Sequence, residues 1–245
     1  MLSHEAVVII PTFNEIENIS AIIEAVMQLP QNFDVLVIDD NSPDGTADIV
    51  RQKQHMYPDR LFLEERTGKL GLGTAYIHGF KWSLARGYQF IMEMDADFSH
   101  NPEDLPRLLA ACREQHADMS IGSRYISGVN VVNWPMGRVL MSYFASGYVR
   151  LVTGMNLRDT TAGFVCYTRR VLEAINLDKI QFKGYAFQIE MKFKAFSRKF
   201  KVVEVPIIFI NRRLGTSKMN SGIFGEAMFG VIKLKLQSIF SKNWL

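Results

Sequence analysis

Phe90-Ile91-Met92-Glu93-Met94-Asp95-Ala96-Asp97-Phe98-Ser99-His100-Asn101-Pro102 is an apolar run that closes on two carboxylates one residue apart. Tyr88, Phe90 and Ile91 favour extended backbone, so the run predicts a strand with the carboxylates at its C-terminal end. Open α/β sheets bind their ligands at that end. In extended backbone, residues i and i+2 point the same way, so Asp95 and Asp97 are expected to face one site together. Two carboxylates about 4 Å apart repel by roughly 4 kcal/mol at an effective dielectric near 20. A hard divalent cation, Mg2+ or Mn2+, removes that conflict and also takes phosphate oxygens. An Asp-x-Asp alone is equally a solvated loop end, so the rest of the chain decides between the two.

Upstream, Ala6 to Ile10 is a continuous apolar run of strand type, broken by Pro11-Thr12-Phe13-Asn14-Glu15. Asn14 is expected to cap the next helix with Glu17 as its reciprocal partner. Ile16, Ile19, Ile23 and Val26 recur at helical spacing, and Pro30 ends the pattern. Asp34 to Ile38 is the next strand, followed by Asp39-Asp40-Asn41-Ser42-Pro43-Asp44-Gly45-Thr46. A β-α-β order implies parallel strands whose ends share one edge. There Phe13 can lie against a base and Asp40 can accept from a base edge, guanine or uracil; Asp44 and Gly45 are also plain turn chemistry. Lys69-Leu70-Gly71-Leu72-Gly73-Thr74-Ala75 reads as a glycine-rich turn opening a helix. It lacks the Gly-Lys-Ser/Thr of a phosphate-binding P-loop. Its glycines either approach a sugar or phosphate closely or simply let the loop reverse.

At 245 residues, 48% hydrophobic, the chain is long enough for a large core. A net charge of +3 with no basic stripe excludes a general nucleic-acid binder. Cys112 and Cys166 form no metal-ligand spacing and no disulfide framework, which fits a reducing compartment. Met1 to Glu5 is too short and polar for a signal peptide. The most apolar stretch, Val139 to Val149 between Arg138 and Arg150, falls short of the roughly 20 residues a membrane span needs.

Taken in order, Pro11-Thr12-Phe13-Asn14-Glu15, Asp39-Asp40-Asn41-Ser42-Pro43-Asp44-Gly45-Thr46, Gly71-Leu72-Gly73-Thr74-Ala75-Tyr76 and Asp95-Ala96-Asp97-Phe98-Ser99-His100 resemble the family 2 inverting glycosyltransferases. Within that family they are similar to the dolichol-phosphate (polyprenol-phosphate) mannose synthases. The resemblance runs from about residue 6 to residue 218. It implies an α/β fold of the GT-A, Rossmann-like, nucleotide-sugar transferase type, with a mostly parallel sheet flanked by helices. It implies that Pro11, Phe13, Glu15, Ile38 and Asp40 hold the nucleoside, and that Asp95, Ala96 and Asp97 hold ribose, diphosphate and metal. Asp97 is then the direct ligand, with Asp95 beside it and Ser99 where some relatives carry a Gln. Phe13 replaces a common Tyr and keeps only the ring.

The second half carries the acceptor side. Pro102 to Gln115 predicts a helix, Asp118 to Gly122 a strand, and Ser123-Arg124-Tyr125 opens an irregular loop that closes on Trp134-Pro135. Met136 to Thr153 predicts a helix with Arg138 and Ser142, four apart, on one face. An arginine and a hydroxyl there suit a phosphate monoester, or the arginine merely snorkels. The resemblance places Arg124, Arg138 and Ser142 at a lipid phosphate, with Arg124 and Asp97 as the catalytic pair. Gln188 and Glu190 open a further helix, to hold sugar hydroxyls or to cap it. Val202 to Ile210 predicts an edge strand broken by Pro206. Beyond it, the resemblance sets Arg212 and Lys218 on the donor phosphates. The Gln-x-x-Arg-Trp motif of processive polysaccharide synthases is missing, against a polymerising enzyme.

The chain thus divides into a catalytic domain, 1–220, and an amphipathic helical extension, 221–245. The extension has Met228, Ile232, Leu236 and Phe240 on one side and Lys233, Lys235 and Lys242 off it. Such a helix lies in a membrane interface, or packs on the core or a partner subunit. The expected activity is inverting transfer of mannose from GDP-mannose to a polyprenyl (dolichyl-type) phosphate. The expected place is peripheral, at the cytoplasmic face of a membrane. The alternatives are a UDP-glucose donor or a sugar hydroxyl acceptor.

Overall fold

Each of the long apolar runs becomes a strand whose residues are buried on both faces. A computed structural model describes residues 5–184, 186–211 and 223–240, and of 223–227 the backbone alone. The strands are β1 (Ala6–Thr12), β2 (Asp34–Asp39), β3 (Leu61–Glu65), β4 (Phe90–Glu93), β5 (Met119–Ser123), β6 (Val131–Val132), β7 (Val165–Thr168), β8 (Val202–Pro206) and β9 (Phe209–Ile210). The helices are α1 (Ile19–Met27), α2 (Thr46–Gln54), α3 (Leu72–Arg86), α4 (Leu105–Arg113), α5 (Met136–Thr153), α6 (Arg169–Ala174), α7 (Ala186–Ser197) and α8 (Ile223–Phe240).

Seven strands form one sheet in the order β3-β2-β1-β4-β7-β5-β8, and β6 and β9 form a parallel pair beside it. Only β7 runs against its neighbours in the large sheet. The sheet is therefore mostly parallel, of the expected α/β type, and needs cover on both faces. β1 shows why. Val7 and Ile9 enter the core packed by α3, α7 and α8, whereas Ala6, Val8 and Ile10 enter the one packed by α1 and α4. β8 sits at the sheet edge, where its Pro206 is tolerated. Gly73 seats α3 against the segment before α7, since a Cβ there would lie 2.8 Å from the Phe187 ring and 2.9 Å from the Phe182 carbonyl oxygen.

Two local expectations are corrected. α1 starts at Ile19, not after Asn14, and Asn18 at its N-terminus makes no capping bond. Asn14 lies in the left-handed region (φ 55°) and Ile16 is exposed. The loop from 13 to 18 is instead tied to the loop after β2: Ser42 Oγ accepts from the Asn14 amide, Thr46 Oγ1 from that of Glu15 and Asp44 from that of Ile16. These long-range partners satisfy the donors that a helical cap would have used. Second, β4 ends at Glu93, so Asp95 and Asp97 stand beyond the strand rather than on it, in the segment that leads to Phe98 at φ 58°.

Candidate active site

Parallel register brings Thr12, Asp39 and Glu65 level at the C-terminal edge of β1, β2 and β3. Thr12 Oγ1 and the Ser42 amide both donate to Asp39, fixing the two loops that carry Phe13, Glu15 and Asp40. Asp40 is buried and paired with Arg66, whose Nε and Nη2 lie 2.6 and 2.5 Å from Oδ1. Arg66 also donates to Thr74 Oγ1, and Lys69 sits 4.9 Å over the Phe13 ring. The expected nucleoside residues therefore gather at two adjacent strand ends, those of β1 and β2, with Arg66 added from the end of β3. The Ile38 side chain, however, is core, so only its backbone can face a ligand.

The turn after β4 is built by its own polar atoms. Asp97 Oδ1 accepts from the Ser99 amide at 3.0 Å, and His100 Nδ1 accepts from the Asp95 amide at 3.2 Å. Burial, only partly offset by Asp97, pushes the His100 pKa down to about 4, so the ring is neutral near pH 7 and its proton sits on Nε2. The imidazole stacks on Phe164. Asp95 is 38% exposed at its side chain and lines a cavity; Asp97, Ala96 and Ser99 are buried in the turn beside it.

That cavity, about 450 Å³, is the centre of the site. Asp95, Tyr76, His100 and Gln188 line it together with Arg124, Arg138 and Ser142. The fold thus brings the three expected acceptor residues together, across 18 positions of sequence and an irregular loop. Met141, Phe144, Tyr148 and Met228 continue the wall between α5 and α8. Arg138 lies 4.0 Å over the Trp134 ring and donates to Asn211 Oδ1. Arg212 and Lys218 fall outside the described residues.

Asp159 and Lys192 have no role assigned by the sequence reading, although Asp159-Thr160-Thr161-Ala162-Gly163-Phe164 matches the family pattern. Asp159, fully buried, receives Arg124 Nε at 2.7 Å and Nη2 at 2.6 Å, plus the Arg124 amide. Burial alone would raise the Asp159 pKa, but the Arg124 guanidinium outweighs it and holds the carboxyl below its usual range. Lys192, also buried, donates to the Ala162 carbonyl and to Gln188 Oε1, while Gln188 Nε2 donates to Glu93. Burial pushes the Glu93 carboxyl up and the Lys192 ammonium down, each opposed by the other's charge. Gln188 is therefore fixed in the cavity wall with its amide orientation set. Glu190 instead accepts from the amides of Gln181 and Phe182, which is a structural role.

The metal question turns on donor chemistry. Asp95, Asp97 and Ser99 offer hard oxygen ligands that fit Mg2+ or Mn2+. Among the described residues no group of three or more His, Cys, Asp or Glu side chains could enclose an ion. A cation here would complete its shell from a phosphate ligand and water.

The glycosyl transferase family 2 model matches residues 7–175. The chain is 47% identical over 229 residues to the polyprenol monophosphomannose synthase of Mycolicibacterium smegmatis, covering 94% of this chain and 86% of that one. It is 48% identical over 225 residues to the undecaprenyl-phosphate mannosyltransferase of Micrococcus luteus, covering 92% and 91%. Among solved structures, the glucosyl-3-phosphoglycerate synthase of Mycobacterium tuberculosis, in complex with Mn2+, UDP and glucosyl-3-phosphoglycerate, superposes with a TM-score of 0.67 at 15% identity. The match covers 96% of this chain and 80% of that one, and it bears on the fold alone.

Proposed function

We propose that this chain, which belongs to glycosyl transferase family 2, transfers mannose from GDP-mannose to a polyprenyl phosphate with inversion at the anomeric carbon. One observation carries the reading. A single cavity joins an acidic turn at the end of β4 to Arg124, Arg138 and Ser142, and continues along apolar side chains between α5 and α8. A diphosphate suits the first, a phosphate monoester the second, an isoprenoid the third. The names of the two mannosyl-transferring relatives support the sugar and the lipid.

The acceptor chemistry follows from charge. A sugar hydroxyl would need a general base to take its proton. A phosphate monoester is already an anion near pH 7, with a second pKa of about 6. Arg124 and Arg138 need only hold it in line with the anomeric carbon, which is catalysis by positioning. Arg124 suits this task because Asp159 holds its guanidinium from behind and the Tyr125, Trp134 and Phe209 rings surround it. On the donor side, Phe13, Asp40 and Glu15 seat the nucleoside, and Arg212 and Lys218 reach the diphosphate. Asp97, with Asp95 and Ser99, would hold Mg2+ or Mn2+, which when bound neutralises charge developing on the departing diphosphate.

The test is direct. Purified protein with a short-chain polyprenyl phosphate should release GDP from GDP-mannose, need a divalent cation, and form a polyprenyl-phosphate mannose of inverted, β configuration. Preference for UDP-glucose, or transfer to a free sugar hydroxyl, overturns the assignment. Because no described triad encloses an ion, Mn2+ should bind weakly to the protein alone and at least about tenfold more tightly with GDP present. Titration by electron paramagnetic resonance reads this without turnover, and equal affinity with and without GDP counts against the ligand set.

The acceptor also predicts where the protein works. No described helix is long and apolar enough to cross a membrane. α8 buries Val231 and Leu234 against the core and exposes Ile232, Leu236 and Phe240, with Phe229 79% and Phe240 80% exposed. α5, packed against it, exposes Met136, Leu140, Phe144 and Leu151. Lys235 turns inward to the Thr153 carbonyl, so the exposed apolar side chains are the larger part of what this face offers to lipid. Full burial of a Phe contributes roughly 1.5–3 kcal/mol. The protein should co-sediment with vesicles that carry polyprenyl phosphate. The double variant Phe229→Asp, Phe240→Asp should lose about tenfold or more in that binding and keep its rate on a short soluble acceptor. Unchanged sedimentation would refute the membrane role of α8.

A further inference from the structure

Gly122 and Gly163 both line the cavity. A glycine is commonly fixed by a left-handed backbone or by a neighbour too close for a Cβ. Gly122 is of the second kind: a Cβ there would lie 3.1 Å from the Ile207 and Phe164 side chains. Gly163 is of neither kind. Its φ lies outside the left-handed region, and a Cβ would meet only Gln188 Nε2 at 3.8 Å and His100 Cε1 at 3.9 Å, both ordinary contact distances. Gly163 is partly exposed, and the space beside it is the cavity itself. What the protein does not require of this position, an occupant of the cavity can.

The corner around Gly163 is held on both sides. Lys192, wholly buried, donates to the Ala162 carbonyl at 2.6 Å and to Gln188 Oε1 at 3.2 Å, tying the residue before Gly163 to the side chain beside it. After Gly163, Phe164 is fully buried with its ring stacked on His100, 4.7 Å between centroids, and Val165 enters β7. A methyl group added at Gly163 would therefore take room from the cavity rather than displace the wall. The place of the corner says what needs that room. Thr161, two residues earlier, accepts from Arg124 Nη2 at 2.8 Å. His100, on the other side, accepts from the Asp95 amide in the acidic turn. Gly163 thus lies between the arginine that holds the acceptor phosphate and the turn that holds the donor diphosphate. In an in-line displacement, the group between those two is the one that is transferred.

We infer that Gly163 is a specificity-determining residue of the sugar subsite: it carries no side chain so that the ring of the transferred hexose can lie against the backbone between Gln188 and His100. The inference rests on the reading of the cavity as a nucleotide-sugar site and adds where in it the sugar lies. One carbon is enough to decide, since a single methylene more or less in a fitted pocket changes selection by about tenfold or more.

Gly163→Ala tests it, because the change adds one carbon that meets no protein atom closely. The variant should melt at or above the temperature of the parent, since φ there suits alanine and the unfolded chain loses freedom. Its calorimetric affinity for GDP, which lacks the sugar, should stay within about twofold, and so should the KM for polyprenyl phosphate. Affinity and kcat/KM for GDP-mannose should fall about tenfold or more. Unchanged kcat/KM for GDP-mannose overturns the inference. So does an equal loss toward GDP, which would put the diphosphate there, or a change confined to the acceptor KM, which would put the lipid phosphate there. A variant that fails to fold or melts well below the parent overturns it too, because packing or backbone would then require the glycine. Failure of the donor reading looks different: the parent protein itself would then not turn over GDP-mannose.

Discussion

Asp97→Asn should fold as the parent does and lose transfer by about 10³-fold or more in kcat, equivalent to about 4 kcal/mol of transition-state stabilisation. The separation of folding from activity comes from the geometry. Asp97 is 5% exposed and its Oδ1 accepts from the Ser99 amide at 3.0 Å. The asparagine carbonyl can accept the same bond, so the turn keeps its shape. What asparagine lacks is the negative charge that makes an oxygen a strong ligand for a hard cation. The deficit should appear in kcat rather than in the acceptor KM, since Arg124, Arg138 and Ser142 are untouched. Mn2+ affinity in the presence of GDP should fall with it, while circular dichroism and melting temperature remain near the parent's. An Asp97→Asn protein that glycosylates its lipid at full speed would remove the acidic turn from the mechanism.

How much of this was legible beforehand follows the range of the interactions involved. Apolar runs of strand length and the 3.6-residue period are local, so the β-α-β opening and the bounds of α5, Met136 to Thr153, read correctly from the chain. Arg138 and Ser142 share a face because helical geometry alone puts them there. The stripe Met228, Ile232, Leu236 and Phe240 is equally periodic, but only the packing of Val231 and Leu234 shows that it points outward. Asn14 failed as a cap because its competitors, Ser42, Asp44 and Thr46, lie about 30 residues away and no local rule contains them. Arg66 beside Asp40 and Lys192 beside Gln188 are products of tertiary packing. Each looks in sequence like an ordinary cation. The glycine-rich turn was ambiguous for a related reason: Gly73 is small because Phe187 and the Phe182 carbonyl crowd it, and those lie over a hundred positions on.

Asp159 stands in a stretch that matches the family pattern, but its role is displayed only by the fold, and Asp159→Asn should be among the most damaging substitutions in the chain. The carboxylate is wholly buried and takes Arg124 in two parallel bonds, with Thr161 Oγ1 also accepting from Arg124 at 2.8 Å. Replacing such a pair as a unit can be nearly neutral, but removing one member strands the other's charge, at a cost of about 3–5 kcal/mol. Asparagine leaves the guanidinium cationic and without its counter-charge, so urea unfolding at pH 7 should show a loss of that size. The native pKa of Asp159 lies below its unfolded value of 3.8, so the pair stabilises fully above that pH. Its contribution fades as pH falls through the depressed native value, and the gap between parent and variant should narrow in acid and not in alkali. A purely structural role predicts this stability loss and nothing more. A role in presenting the acceptor predicts in addition that, at a temperature where both proteins are folded, the KM for polyprenyl phosphate rises about tenfold or more while that for GDP-mannose is little changed. Arg124→Lys separates the two further: it keeps the charge against Asp159 but not the planar fork, so it should recover much of the stability and little of the acceptor affinity. If the lysine variant turns over lipid as well as the parent does, Arg124 acts only as a buried counter-charge, and Arg138 with Ser142 must hold the phosphate alone.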